Sequence, residues 1–217
     1  MIRILTQQYS VLSDIIAKMR DVHFQKDSYR FRTHMEMAAM LGGYEISRAL
    51  PNEKKDIQTP LGIAQHSVLK DDLVIASILR AGIPMHDGLL KVFPDAGNAF
   101  IGAYRKHHKN NHLEIALDYL SSPPLDGKTL ILADPMLATG QSIVLTLQEM
   151  FKRAGVPRHT HIFVMIASRQ GIDFIKSKLP SAHYTLWCGA VDEELSSQYY
   201  IVPGLGDAGD LSYGPKS

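Results

Sequence analysis

The stretch LILADPMLATGQS, at 130–142, has the residue types of an anion site. A buried apolar run ends at Asp134, and the small-residue turn Ala138-Thr139-Gly140-Gln141-Ser142 then opens a helical pattern. A helix start leaves backbone N–H groups unpaired and carries the positive end of the helix dipole, so phosphate binds well there. Thr139 and Ser142 add hydroxyl donors. Asp134, just upstream, is placed to accept hydrogen bonds from sugar hydroxyls. A phosphate pocket beside a hydroxyl acceptor describes a site for a ribose 5-phosphate. The competing reading is an ordinary strand–turn–helix in which Thr139 or Ser142 only caps the helix. No G-x-x-x-x-G-K-[ST] occurs, so the stretch is not a P-loop.

Three other segments carry groups that could act on the same ligand. In ILRAG (78–82), Arg80 follows an apolar run, and Ala81-Gly82 would let the backbone approach an anion. An arginine fork suits a diphosphate better than a lysine point charge. Taken alone, Arg80 reads as a surface arginine. So does Arg105 in GAYR (102–105), with Lys106 and Lys109 as neighbours on a solvated basic face. PGLGDAGD (203–210) spells G-x-G-x-x-G through Gly204, Gly206 and Gly209. A dinucleotide fingerprint needs a strand before it, a crossover helix after it and an acidic residue about 20 positions on. Here Pro203 stands at the entry, and only seven residues follow Asp210, Gly214 and Pro215 among them. No crossover helix is expected, and the NAD reading fails. What remains is a glycine-rich turn, or a loop whose backbone comes close to a flat ligand.

The elements that must hold these residues follow from the apolar pattern. The first 50 residues read as mostly helical, with Ile15, Ile16 and Met19 after a cap at Ser13-Asp14, and a second pattern running from Asp27 through Phe31, Met35, Ala38 and Ala39. PNEKKDIQTPLG (51–62) reads as a polar turn region containing a short strand. From residue 72, strand-length apolar runs (73–79, 98–104, 128–134, 161–167, 184–190) alternate with helical segments (83–93, 141–155, 171–179). Apolar strands alternating with helices predict an α/β fold, a parallel sheet covered on both faces. Such sheets bind ligands beyond the carboxyl ends of their strands, which is where Asp134 and Arg80 stand. Residues 105–127 are too long for a simple connection and are expected to form a protruding arm, with LEIALDYL as a strand or a short helix.

Composition sets the outer bounds. A chain of 217 residues suits one domain, 45% apolar and 21% charged residues are ordinary for a globular protein, and a net charge of +1 suggests no nucleic-acid partner. The opening MIRILTQQYS lacks the pattern of a secretory signal, and no apolar stretch is long enough for a membrane span, so a cytoplasmic protein is expected. Cys188 is the single cysteine, read as a buried strand residue rather than a nucleophile. His107, His108 and His112, and His159 with His161, have spacings that metal ligands use. Solvated histidines are the favoured reading, since 107–112 is Lys/Asn-rich and has no Cys or Asp nearby.

LADPMLATGQS resembles the phosphoribosyl diphosphate (PRPP) signature of the type I phosphoribosyltransferases, and its DPMLATG form is similar to the uracil phosphoribosyltransferases in particular. ILRAGIPMHDGLL (78–90), GAYR (102–105) and YIVPGLGDAGD (200–210) resemble further segments of that family, in the same order. The resemblance implies a single domain over 1–217, a protruding arm at 105–127 and a base-recognition segment at 190–217. It implies that Asp134, Pro135, Met136, Leu137, Ala138, Thr139, Gly140, Gln141 and Ser142 bind PRPP, with Arg80 and Arg105 on its diphosphate. Ile201, Gly206, Asp207 and Ala208 would receive uracil, Asp207 also lying near PRPP, and Asp207 and Arg105 are the residues expected to serve catalysis. Mg²⁺ would enter with PRPP, and no direct protein ligand for it is expected. The implied reaction makes UMP and diphosphate for pyrimidine salvage, in a homodimer or higher homo-oligomer. A PRPP- or UMP-sensing regulator on the same fold, or a transferase for another base, are the alternatives. The sequence departs from the family pattern in two ways. Gln141 replaces a usual glycine, which is harmless if it already lies in the helix's first turn. The arm lacks a proline-containing segment. Pro135 occupies the place of a second acid, as it also does in the branch resembled.

Overall fold

The computed structural model describes residues 1–107 and 113–215, and the side chains of 103–118 lie outside that description. The chain opens with β1 (Ile2–Ile4), followed by α1 (Val11–Arg20) and α2 (Ser28–Ser47). The strand is absent from the helical reading of this region because three residues are too few to show a period. Helix α1 also starts earlier than Ser13-Asp14. Its N-cap is Ser10, whose N–H donates to Ser13 Oγ at 3.4 Å, so Ser13 sits inside the first turn, answering the cap. Asp27 caps α2 as expected, accepting the Arg30 N–H at 3.0 Å.

The polar region 51–62 is not a turn with one short strand. It belongs to a hairpin of β2 (Asn52–Thr59) and β3 (Gly62–Leu69), paired from Asn52↔Leu69 to Thr59↔Gly62. Almost all of it is exposed, so no buried face imposes the apolar alternation by which strands are recognised.

The alternating region runs β4 (Leu73–Leu79), α3 (Ile83–Val92), β5 (Gly97–His107), β6 (Leu113–Ser121), β7 (Thr129–Ala133), β8 (Met136–Leu137), α4 (Gln141–Ala154), β9 (His159–Ser168), α5 (Arg169–Lys178) and β10 (Tyr184–Asp192). It closes with β11 (Glu194–Leu195), β12 (Ile201–Val202) and α6 (Ala208–Tyr213). Among the described residues the main sheet has the order β1-β10-β9-β7-β4-β5-β6, with β8 added to β9. All neighbours are parallel except β6, which runs antiparallel to β5 from Phe100↔Ser121 to His107↔Leu113. The expected arm is this hairpin, and LEIALDYL is a strand. His107 ends β5, while His108 and His112 lie outside the described residues.

Strands β4, β7 and β9 are buried along almost their whole length, as a sheet covered on both faces requires. On one face Leu12, Ile15, Phe31, Met35, Met85 and Leu89 of α1–α3 pack against Ile75, Ile131, Phe163 and Trp187. On the other, Ile143, Leu147 and Met150 of α4 and Ile172 and Ile175 of α5 pack against Val74, Leu130, Ile162 and Val164. From β4 the chain proceeds to β5 on one side, then returns through β7 on the other, so strand order reverses between β4 and β7. A crevice forms at the carboxyl ends of such a pair. Among the described residues no helix is long and apolar enough to cross a membrane.

A helix does form within the glycine-rich segment, but at six residues it is no crossover helix. Asp207 caps α6 by accepting the N–H groups of Gly209 (2.8 Å) and Asp210 (3.0 Å), a local signal that outweighs the glycines around it. The dinucleotide reading still fails. The strand before it is the two-residue β12, antiparallel to β11, and among the described residues no strand follows α6.

Candidate functional site

Asp134 leaves β7 with its N–H on the Phe163 carbonyl at 3.1 Å, and its Oδ1 lies 3.5 Å from the Met136 N–H. The turn beyond it is tied down by backbone. The Pro135 carbonyl accepts from Met165 and Ile166, both at 3.0 Å, and β8 continues the ladder with β9 at Met136↔Ile166 and Leu137↔Ala167. The Ala138 carbonyl accepts the Ser168 hydroxyl at 2.5 Å, and the same hydroxyl accepts the Gly171 N–H at 2.8 Å. Gly140, φ +81°, is the N-cap of α4, a left-handed conformation that suits glycine. Gln141 is therefore the first helical residue, and a side chain there is unstrained. Thr139 Oγ1 stands 3.5 Å from the Gln141 N–H. The first turn of α4 presents N–H groups that the helix itself cannot pair. Thr139 and Ser142 are half-buried beside them, while Pro135, Leu137 and Gly140 are buried.

Arg80 follows β4, next to β7 in the sheet, where Ser77 pairs with Ala133. The Leu79–Arg80 peptide bond is cis. A Cβ on Gly82 would sit 2.7 Å from the Ile78 carbonyl oxygen, so the turn closes only with glycine. The Arg80 guanidinium donates to the Gly214 carbonyl at 3.1 Å and lies 3.5 Å from Asp210 Oδ1. Beneath it, Ser77 Oγ is 2.9 Å from His86 Nδ1, and His86 Nε2 is 2.7 Å from Asn98 Oδ1. Burial pushes the His86 pKa down, and a neutral ring that donates to Asn98 and accepts from Ser77 satisfies the chain of contacts. Arg105 sits on β5, paired with Ile115 beyond the end of the β4 ladder at Gly102, and its side chain lies outside the described part.

The 201–208 segment joins the same edge. Ile201, Leu205 and Ala208 are buried in the cluster that contains Ala133, and Met136, Ala138 and Ala81 pack against that cluster. Gly204 (φ +57°) makes a turn in which a Cβ would lie 2.1 Å from the Ile201 carbonyl oxygen. Both oxygens of buried Asp192 take the Arg20 fork at 2.8 and 2.9 Å. Asp192 Oδ2 also accepts the Gly204 N–H (2.9 Å), while Arg20 Nη1 donates to the Gly204 carbonyl (2.9 Å). Gln25 Nε2 donates to the carbonyls of Met19 and Leu205, both at 2.7 Å, and Arg32 donates to the Ser212 carbonyl. Asp192 is the register partner of Ser168, which holds the 134–142 turn. One edge of the sheet thus gathers Asp134–Ser142, Arg80 and Ile201–Ala208.

Sequence reasoning did not find Arg20, Gln25, Arg32, Ser168 or Asp192. None lies in a motif, and the helix residues meet their partners across 172 to 184 residues of chain. Two other groups play no part here. Burial pushes the Cys188 thiol up to about 12, which keeps it inert. His159 and His161 are packed in the sheet rather than solvated: His159 Nε2 is 3.0 Å from Thr185 Oγ1, and His161 Nδ1 accepts the Trp187 indole N–H at 3.0 Å. Among the described residues no group of three or more His, Cys, Asp or Glu is close enough to hold a metal ion.

The chain is similar to known proteins along nearly its whole length. A family model described as uracil phosphoribosyltransferase matches residues 6–215. A uracil phosphoribosyltransferase of Porphyromonas gingivalis is 43% identical over 212 residues, 98% of this chain and 97% of that protein. One from Pyrococcus furiosus is 36% identical over 206 residues, covering 94% and 86%. A solved structure, the AQ2163 protein of Aquifex aeolicus, superposes with a TM-score of 0.87 at 30% identity, over 99% of this chain and 98% of that one.

Proposed function

The chain belongs to the uracil phosphoribosyltransferase family, and from that membership we propose how its site works. The protein is a pentosyltransferase of pyrimidine salvage: uracil and PRPP give UMP and diphosphate. The bond from the anomeric carbon to the diphosphate oxygen breaks, the bond from that carbon to uracil N1 forms, and the N1 proton leaves to solvent.

The observation that carries the assignment of roles is the convergence of the 134–142 turn, Arg80 and the 201–208 loop on one sheet edge. The N–H groups opening α4, with Thr139 and Ser142, take the 5-phosphate, and Asp134 accepts from the ribose hydroxyls. Met136 to Gly140 supply the walls and backbone of this pocket. Arg80 binds the diphosphate, exchanging Asp210 and the Gly214 carbonyl for phosphate oxygens, and Arg105 is assigned to the same group. Stabilising charge on the departing diphosphate lowers the barrier, because that charge grows in the transition state. Ile201, Gly206 and Ala208 offer backbone groups to the uracil edge. A site that pairs one pattern of donors and acceptors rejects cytosine, since a mismatch leaves buried polar groups unpaired. Asp207 holds the start of α6 and is assigned to orient the base opposite the diphosphate. Mg²⁺ would enter with the PRPP diphosphate, on the side of the site where Arg80 stands, as this ion commonly does with substrate phosphates. When bound it supplies further positive charge to the diphosphate.

The β2–β3 hairpin favours a homo-oligomer. Leu61 is fully exposed and Ile57, Ile63 and Leu69 are exposed as well, on a two-stranded unit of the kind that has little stability alone. Sedimentation of the purified chain is expected to give at least a dimer. A cytoplasmic location accords with a soluble salvage enzyme acting on PRPP.

The test is diphosphate release from PRPP and Mg²⁺ with uracil, cytosine, hypoxanthine or orotate. Release with uracil alone is expected. No release with any base would remove the enzyme reading, and release with hypoxanthine alone would keep the fold and reject the base.

A further inference from the structure

We infer that Arg20, Asp192 and Gln25 are positioning residues for base selection, acting through the backbone of Gly204 and Leu205; this rests on the reading of 201–208 as the base loop. Arg20 and Asp192 together bind both backbone groups of Gly204: the N–H by Asp192 Oδ2 and the carbonyl by Arg20 Nη1, each at 2.9 Å. The two side chains fix each other through a bidentate fork, with Asp192 only 8% and Arg20 22% exposed. Gln25 holds the next carbonyl, Leu205, and the last turn of α1 at Met19 with one amide nitrogen.

Stability alone is a poor reason for this arrangement. Removing two charges from water costs about as much as their attraction returns, and apolar residues of similar volume are often as stable. What the fork supplies is placement. A base read by backbone groups is discriminated only as sharply as those groups are held, on the order of 0.5 Å. Ile201, Leu205 and Ala208 anchor the loop by burial, but the glycines at 204 and 206 leave the backbone between those anchors free to rotate. The clasp resists that rotation from α1, the short segment after it and the end of β10, and its contacts with the loop go to backbone groups.

The experiment compares Arg20→Lys, Asp192→Asn and Gln25→Ala with the wild type in the full chain. KM for uracil is expected to rise about tenfold in Arg20→Lys, which keeps charge but loses the fork. The preference for uracil over cytosine is expected to fall in proportion, while KM for PRPP stays within about twofold. Hydrogen exchange should quicken over 201–208 and stay unchanged over 134–142. In Arg20→Ala, free guanidinium should recover the uracil KM and methylammonium should not. Where the charge variants fold poorly, Gln25→Ala, which removes only a neutral amide, carries the same test. KM values for uracil and PRPP that rise together would overturn the inference, as would an unchanged uracil-to-cytosine ratio alongside faster exchange. Should the wild type use another base, the proposed substrate falls and the same ratio is read with that base.

Discussion

The turn at 134–142 and the loop at 201–208 stand side by side, yet they are held in opposite ways. The first is fixed by neutral backbone pairing from the strand it touches: the Pro135 carbonyl under Met165 and Ile166, β8 against β9, and one serine hydroxyl on Ala138. The second is fixed by long polar side chains, Arg20 at the end of α1 and Gln25 between α1 and α2, and by Asp192. A pocket for a phosphate needs a reproducible set of N–H groups, which any strand–turn–helix supplies. A pocket for one base among several needs a particular placement of a few carbonyls and amides. The contrast predicts that the two halves can be damaged separately.

The largest effect is expected for Gly204→Ala. Its φ of +57° and a Cβ 2.1 Å from the Ile201 carbonyl oxygen leave no unstrained solution, at a cost of about 2–4 kcal/mol. Uracil KM should rise at least about tenfold with PRPP binding kept, and equal loss of both ligands in titration calorimetry would break the contrast. Gly171→Ala is the mirror test. Its Cβ would lie 2.4 Å from the Ala138 carbonyl oxygen, so it should displace the 134–142 turn from the α5 side, weakening PRPP binding while hydrogen exchange at 201–208 is unchanged. Asp207→Asn keeps a good helix cap, so its melting temperature should barely move while turnover falls about tenfold. Unchanged turnover would reduce Asp207 to a cap.

Acid titration probes the far side of the sheet as a control. Burial, followed by the neighbouring His159 and Arg3 charges, depresses His161 to about 4, below the ordinary 6.5. Between those values the unfolded chain binds the extra proton. The contribution is therefore whole above about pH 6.5 and is lost as pH falls toward 4, with a slope of at most about 1.4 kcal/mol per pH unit. His86 is shifted in the same direction by burial. His161→Asn should flatten the slope of denaturant-derived stability over this range without changing the ratio of the two KM values. The smallest effect is expected for Gln141→Gly. The position is exposed and already helical, so PRPP KM should change by less than about twofold.

How far each half could be read from sequence follows from the same difference. The determinants of the 134–142 turn are contiguous: apolar strand, Asp134, small residues, Gly140, helix. Local propensity writes them into one window. For the 201–208 loop only the glycines and the Asp207 cap are local, and these alone fit a plain turn or a base site equally well. The residues that select its conformation are far off in the chain, where Arg20 reads as an ordinary last-turn cation and Asp192 as a strand end. The buried strands were legible because they are apolar on both faces. The β2–β3 hairpin was not, because exposure leaves no pattern to detect.

Ser168 and Asp192 are opposite one another in the β9–β10 ladder, and neighbouring strands lie about 4.8 Å apart. The anchor of the 134–142 turn and the anchor of the 201–208 loop are thus offset by one strand width, a length set by peptide hydrogen bonds. On the roles proposed for them, neither loop needs to measure the gap that the new carbon–nitrogen bond must span. The sheet acts as a common gauge, and each loop only has to stay square to its own mark. A slip of β10 by a single residue would turn the Asp192 mark to the opposite face. Registry is then a requirement of the chemistry, and ladder mutations distant from any ligand become mutations of reach.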